Sequence, residues 1–506
     1  MGSTSLMVAA MAIGALAFFA RTAVLLGREP GGVDAWYYLA YARAFRKAPG
    51  FRVKLPQYLL QDAEQSYAPI FPSLLALIPE KILARSFWAI SPAIDCVTLV
   101  ILFLLALKLT AAPTVALVAA LSYAVSPTLI SETRALSPRS FGVLLHAISL
   151  VLLIRAIIGE PHWLWTLAAL MSGALVFLSS ATAMASYLFV ASSLTVAFLN
   201  PSYIFLALGS TVFAWVVSFG HLGRVFANYG HAVRFWLSHR RLFGSHPVLD
   251  SPVYGGPRRA EGGRPHEPGF LGQGLGPQML RLLGENPFLL ALPFASPSKG
   301  TWALNLFIWA ASLSSFAVIS TVIWPLRAFG PGRNYMKSAI FPTAYVLAAS
   351  IGTPGGLLRP AGLATLAALG ASAVSVVFFL TYMSGKKNEL TAHVPRGLRT
   401  MASHLATLPE GGVVCLPGGY SDYVAYRTGR NVLWGSHSGS LQRFELISPV
   451  WTERVEVAAR RFGVRYLIVE RTYVDPAILN LDSGCALVAE DETFAMFDVL
   501  AGASVP

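Results

Sequence analysis

Residues 90–109 read ISPAIDCVTLVILFLLALKL, twenty positions with one acid, Asp95, and one base, Lys108. Lipid offers no partner for unpaired backbone groups, so a run of roughly 20 predominantly apolar residues is read as a helix that crosses a bilayer. The next run, Thr114–Ile130, begins within a few residues. The two therefore form a tight pair, and the positive-inside rule puts the short Lys108 connection on the cytoplasmic side. Further runs of the same kind lie upstream at Leu6–Leu26 and downstream at Ser140–Ile158, Trp163–Leu178, Thr182–Leu199, Tyr203–Phe219, Trp302–Leu326, Tyr335–Ile351 and Gly362–Met383. The first has no basic leader and carries Arg21 inside it, which suits a retained anchor better than a cleaved signal.

Composition agrees with this pattern. The 506-residue chain is 55% hydrophobic and 12% charged, against roughly 25% charged in ordinary soluble domains, and its mean hydropathy is +0.58. Charges are sparse up to about Ser384 and frequent afterwards. The fold class expected is a polytopic α-helical membrane protein of 10–12 membrane segments with a C-terminal α/β soluble domain. A transmembrane domain spans 1–384, with an external loop at about 28–89 and a long loop at about 221–301, and the soluble domain spans 388–506. The net charge of +13 is spread over short connections rather than one stripe. That excludes nucleic acid and favours anionic lipid or a phosphate-bearing substrate. Three cysteines, Cys96, Cys415 and Cys485, do not make a disulfide framework.

Two stretches decide orientation. Tyr67–Pro79, YAPIFPSLLALIP, is short and carries three prolines, which suits an interfacial or re-entrant helix. If it does not cross, Asp34 and Glu132 face the same side. Asn286–Ala295, NPFLLALPFA, is shorter still. If it crosses, the soluble domain shares the side of Asp34; if not, the domain is cytoplasmic, the side that Lys386 and Lys387 favour.

After the first run comes GREPGGVDAWYYLAYARAFRKAPG, from Gly27 to Gly50. Trp36, Tyr37, Leu39, Ala40 and Phe45 alternate with Arg43, Arg46 and Lys47, as in an amphipathic helix on a membrane surface. Asp34 at its start reads either as a helix N-cap or as a carboxylate held at the interface to bind a metal or accept a proton.

The order of an anchor helix, VDAWYYLAYARAF, YAPIFPSLLALIP and two runs ending in SPTLISETRALSPRSFG resembles the GT-C superfamily of membrane glycosyltransferases. That group includes oligosaccharyltransferase catalytic subunits and protein O-mannosyltransferases. The resemblance covers about residues 1–200 and thins toward the end. It implies a sugar taken from a polyprenyl phosphate or pyrophosphate carrier with inversion, and an essential aspartate matched by Asp34. A second loop with one or two acids is also implied. Here LSPRSFG has Arg139 and no acid, and Glu132 is the nearest substitute, with a salt bridge to Arg134 as its alternative reading. LPGGYSDY, from Leu416 to Tyr423, stands where oligosaccharyltransferases carry a tryptophan-rich motif, which argues against transfer to a peptide sequon. GPGRNYMKSAIFPTAYVLAA, from Gly330, resembles the segment that places an arginine at the mouth of a late span. Arg333 is then the phosphate ligand, with positive-inside anchoring as the alternative.

The long connection from His221 to Thr301 holds His221, His231, His239, His246 and His266 without a compact zinc spacing. GHAVRFWLSHRRLFG within it suits a basic interfacial helix. In the C-terminal domain, VVCLP (413–417), NVLWG (431–435) and RYLIVE (465–470) read as buried strands between helical stretches Tyr420–Thr428 and Phe444–Phe462.

The expectation is a membrane glycosyltransferase that uses a polyprenyl-linked sugar donor and a glycan or protein acceptor. Asp34 and Glu132 are its catalytic residues and, where a divalent metal (Mg or Mn) takes part, its metal ligands. Arg333, Tyr37 and Arg139 contact substrate. Membrane lipid is a partner and the cell membrane the location. A multi-pass transporter and a non-catalytic GT-C relative are the alternatives.

Overall fold

A computed structural model describes residues 3–23, 33–61, 64–160, 162–242, 244–255, 274–295, 300–352, 356–385, 394–435 and 441–501. Lys386, Lys387 and His266 lie outside the described residues.

The protein is an integral, multi-pass membrane protein. Among the described residues, six helices are long and apolar enough to cross a bilayer, or seven if one bent pair counts as a span. Each of the ten runs read from the sequence contains a helix among its described residues. Six of them fall in the long class: α1 (Ser3–Thr22), α4 (Glu80–Thr110), α7 (Pro138–Ile158), α9 (Ala181–Phe198), α14 (Thr301–Val322) and α16 (Pro360–Gly385). Two are shorter, α5 (Pro113–Ala124) and α8 (Trp163–Phe177). The run at Thr114–Ile130 breaks at Val125–Ser126, where Pro127 starts a separate six-residue helix, α6 (Pro127–Glu132), because proline has no N–H to continue a helix interior. α10 (Ser202–Val217) turns through 115° into α11 (His221–Ser238). The last, α15 (Arg333–Ile351), is buried along almost its whole length.

Local sequence places the helix starts. Ser137 caps α7, with its hydroxyl accepting from the Arg139 N–H and Pro138 at the first helical position, and Ser180 caps α9 in the same way. Both satisfy backbone donors that a helix start leaves open. Inside the bundle Arg21 pairs with Asp95, and Tyr123 donates to the other carboxylate oxygen at 2.7 Å. The remaining Arg21 donors reach the carbonyls of Ala17, Ala124 and Tyr123. The two charges in the first and second runs thus neutralise one another away from lipid, as intramembrane charges must.

The stretch Tyr67–Pro79 contains only the eight-residue α3 (Ile70–Leu77), about 12 Å long and too short to cross. The stretch Asn286–Ala295 behaves differently. Before it, α12 (Leu275–Glu285) ends beside α6, where the Thr128 hydroxyl donates to the Glu285 carbonyl at 2.9 Å. After it, α14 starts beside the first turn of α10, where Tyr203 donates to Asn305 at 2.8 Å. The far end of α10 meets the segment before α3 through His221 and the Tyr67 carbonyl. Glu285 and Thr301 therefore lie at opposite ends of the bundle. The described residues between them form α13 (Phe288–Ala291) and a single 3₁₀ turn, Leu292–Phe294, and 296–299 lie outside the described residues. Irregular backbone at that depth is tolerated where protein surrounds it, and α13 packs on α15 and α16.

That extra passage brings the C-terminal residues to the end of the bundle that carries Asp34. α17 (Arg396–Leu405) leads into a four-stranded sheet of order β1-β2-β4-β3: β1 (Gly412–Leu416), β2 (Val464–Glu470), β3 (Ala486–Glu490) and β4 (Phe494–Asp498). β1 is parallel to β2 and the other pairings are antiparallel. NVLWG is not a ladder strand; Val432 makes single bridges to Val413 and to Tyr58 of the external loop. The expected helix at Phe444–Phe462 is reduced to Val455–Arg461. All three cysteines are free.

Candidate active site

Asp34 is the second residue of α2 (Val33–Lys47), inside the helix rather than capping it, where a carboxylate sits at the positive end of the helix dipole. The face of α2 around Trp36 is pinned by α18 (Ser421–Thr428), through Trp36 against Tyr423 and Tyr426 at ring separations of 5.1 and 5.4 Å. Arg43 adds a bond to Glu80 at 2.6 Å and stacks 4.1 Å above the Tyr426 ring. The soluble elements thus hold the helix that carries Asp34.

Arg139, in the first turn of α7, joins Asp34 to Glu132. Its Nη2 lies 3.7 Å from Asp34 Oδ2 and its Nη1 donates to Glu132 Oε2 at 2.9 Å. One guanidinium therefore reaches both carboxylates, which share a side of the molecule. Lys337 on α15 approaches the same Glu132 oxygen at 2.7 Å, with its ammonium almost wholly enclosed, and also donates to Asn334 at 3.0 Å. Burial alone would raise the Glu132 carboxyl. The Lys337 and Arg139 charges outweigh it and bring the group down to about 2. Asp34, Arg139, Glu132 and Lys337 form a chain of alternating charge across four elements, α2, α7, α6 and α15.

Arg333 begins α15 and pairs with Glu285 at 3.3 Å; Arg281, one turn before Glu285 on α12, reaches the same oxygen at 2.8 Å. Gly332 explains the preceding GPG: a Cβ there would come within 2.1 Å of the Ala317 carbonyl oxygen, so only glycine lets the start of α15 press against α14. Arg333, Arg281 and Glu285 line a cavity of about 680 Å³ together with Glu132, Arg134 and Arg139. Four arginines against two glutamates leave the lining positive by two charges. Its opposite wall is apolar, with Val374, Phe378 and Phe379 of α16, and Arg134 stacks 4.8 Å over the Phe379 ring.

Of the residues expected from sequence, Asp34, Glu132 and Arg139 converge, and Arg333 lines the same cavity as Glu132 and Arg139. Tyr37 does not. It is fully buried among Tyr38, Tyr41, Tyr58 and Tyr67 and donates to Gln65 at 3.0 Å. Its neighbour Tyr38, one turn beyond Asp34, and Tyr67 both lie within the influence of Asp34 and Arg139. Burial first, then Tyr67 and Asp34, push the Tyr38 hydroxyl well above the ordinary tyrosine range, and it shares a 2.8 Å hydrogen bond with Tyr67. Lys337, Arg281 and Glu285 are site residues that sequence reading passed over. The signal for Lys337 was a lone base one turn beyond Arg333 in an otherwise uncharged run.

The residues present do not suit a metal shared by Asp34 and Glu132. A guanidinium joins the two carboxylates, and the described residues contain no group of three or more His, Cys, Asp or Glu able to hold an ion.

No protein-family model and no curated protein sequence matches the chain. Solved structures match its fold. The apo ArnT of Cupriavidus metallidurans covers 100% of this chain and 100% of its own, at 13% identity and a TM-score of 0.57, and its undecaprenyl-phosphate-bound structure gives the same values. The oligosaccharyltransferase AglB of Archaeoglobus fulgidus, in complex with an inhibitory peptide and a dolichol-phosphate, covers 92% of this chain and 69% of its own, at 11% identity and a TM-score of 0.53. The chain has the GT-C membrane glycosyltransferase fold.

Proposed function

With that fold as premise, we propose that this chain transfers a sugar from a polyprenyl phosphate or pyrophosphate carrier to a hydroxyl of a glycan or protein acceptor, with inversion. The observation that carries the reading is the shape of the cavity's charge. Its lining bears four arginines against two glutamates, facing an apolar wall on a membrane helix. A phosphate on a long hydrocarbon needs that combination: guanidinium forks for the anion and an apolar surface for the chain. The matched structures bound to undecaprenyl phosphate and dolichol-phosphate lend support.

In this reading Asp34 takes the proton from the acceptor hydroxyl. The freed oxygen attacks the anomeric carbon from the face opposite the phosphate, and one displacement inverts the centre. The bond from that carbon to the phosphate oxygen breaks, and its electron pair leaves with the phosphate. Arg333, backed by Arg281, stabilises the charge that develops there more strongly in the transition state than in the ground state. Glu132 is a positioning residue that holds Arg139 and Lys337.

The test is binding of undecaprenyl phosphate to the purified protein, measured against the neutral polyprenol. The phosphate is expected to bind at least about tenfold tighter, as one or two charge-assisted hydrogen bonds require. Equal affinity for the two lipids would overturn the reading.

A further inference from the structure

We propose that the Arg139 guanidinium stands where a divalent cation would otherwise bridge Asp34 and Glu132, so that the reaction of this chain needs no divalent metal. The inference rests on the reading of Asp34 as proton acceptor given above.

The argument is geometric. Arg139 Nη2 and Nη1 lie 3.7 and 2.9 Å from Asp34 Oδ2 and Glu132 Oε2. An ion bonded directly to both carboxylates, at about 2 Å from each, would have to sit in the space this group fills. The carboxylate oxygen that faces Arg139 on Glu132 is also taken by Lys337 at 2.7 Å. Two fixed cations already balance two carboxylates, so a divalent ion would enter against repulsion and without an excess of negative charge. The donor set is also poor. Magnesium and manganese prefer several oxygen ligands in octahedral array, and with Arg139 in place the carboxylate oxygens that would join water in that array face a guanidinium instead.

Arginine suits the substitution. Its charge is permanent, and its planar fork presents separate N–H groups to two carboxylates at once. The Arg139 backbone N–H is accepted by the Ser137 hydroxyl, and Pro138 fixes the first helical residue. The guanidinium is therefore carried on a capped helix start rather than on a free loop. Its work is to orient Asp34 toward the acceptor, which makes it a positioning residue.

The experiment uses the purified full chain in lipid nanodiscs and follows Mn²⁺ by electron paramagnetic resonance, alongside sugar transfer with and without EDTA. The wild type is expected to bind no more Mn²⁺ than an Asp34→Asn, Glu132→Gln double variant, and to transfer sugar within twofold, roughly, of its untreated rate after EDTA. Arg139→Ala is expected to lose transfer by about 10²-fold in metal-free buffer and to gain a Mn²⁺ signal that the double variant lacks. Arg139→Lys, which keeps the charge, is expected to gain none. One Mn²⁺ per wild-type chain that disappears in the double variant would overturn the proposal. So would transfer lost to EDTA and restored by Mg²⁺ or Mn²⁺. If no sugar is transferred under any condition, the glycosyltransferase reading fails, while the Mn²⁺ titration of the wild type still decides the place of Arg139.

Discussion

Lys337 Nζ lies 2.7 Å from Glu132 Oε2, an ion pair between α15 and the end of α6, with the lysine side chain only 4% exposed. Breaking a buried pair by removing one partner leaves an uncompensated charge and costs about 3–5 kcal/mol. Lys337→Met is therefore expected to lower the unfolding midpoint in detergent markedly, whereas the double change Lys337→Met, Glu132→Gln is expected to recover part of the loss. A double-mutant cycle in thermal unfolding checks this.

The same pair sets an acid dependence. The Lys337 and Arg139 charges hold the Glu132 carboxyl down at about 2, below the ordinary carboxylate range. Its contribution to stability is therefore complete above the ordinary carboxylate range and is lost as pH falls from there through 2. Stability of the wild type should fall more steeply over that window than stability of Glu132→Gln. Parallel slopes in denaturation curves from pH 6 to pH 2.5 would remove Glu132 from the account.

Arg333 is expected to act on the carrier phosphate. Arg333→Ala should weaken undecaprenyl phosphate binding by about 10- to 100-fold, as loss of a charged hydrogen bond implies, and leave neutral polyprenol binding unchanged. Gly332→Ala should weaken the same ligand without removing any charge, because its Cβ would meet the Ala317 carbonyl and shift the start of α15.

Orientation has its own test. The soluble elements and Asp34 share one end of the bundle, so a cysteine introduced at exposed Ser403 on α17 should be labelled by an impermeant reagent from the same side as one introduced at exposed Lys47 on α2. Opposite labelling would contradict the passage through Asn286–Ala295.

Much of this architecture was legible because lipid is a severe solvent. Each run from Leu6–Leu26 to Gly362–Met383 had to satisfy its backbone internally, and each became helix. The exceptions have physical causes. Asn286–Ala295 forms only a short helix and a 3₁₀ turn packed on α15 and α16, and no local pattern announces that. NVLWG has strand-like residues, but its backbone is taken by the external loop at Tyr58. Among site residues, Asp34 and Arg333 stood out at the ends of apolar runs. Lys337 was concealed by its uncharged surroundings. Tyr37 and Tyr38 differ in role only by one helical step, about 100° of rotation, which composition does not resolve.

The central claim is that Asp34 carries the proton of the acceptor. Asparagine keeps the size and shape of the side chain and removes its charge, so Asp34→Asn should fold, insert and bind undecaprenyl phosphate as the wild type does. Transfer from a polyprenyl-linked sugar by the purified protein, followed by mass spectrometry of the product, is the direct measurement. The account predicts a fall in rate of about 10²–10⁴ with carrier binding intact. Transfer by the asparagine variant at close to the original rate would contradict it.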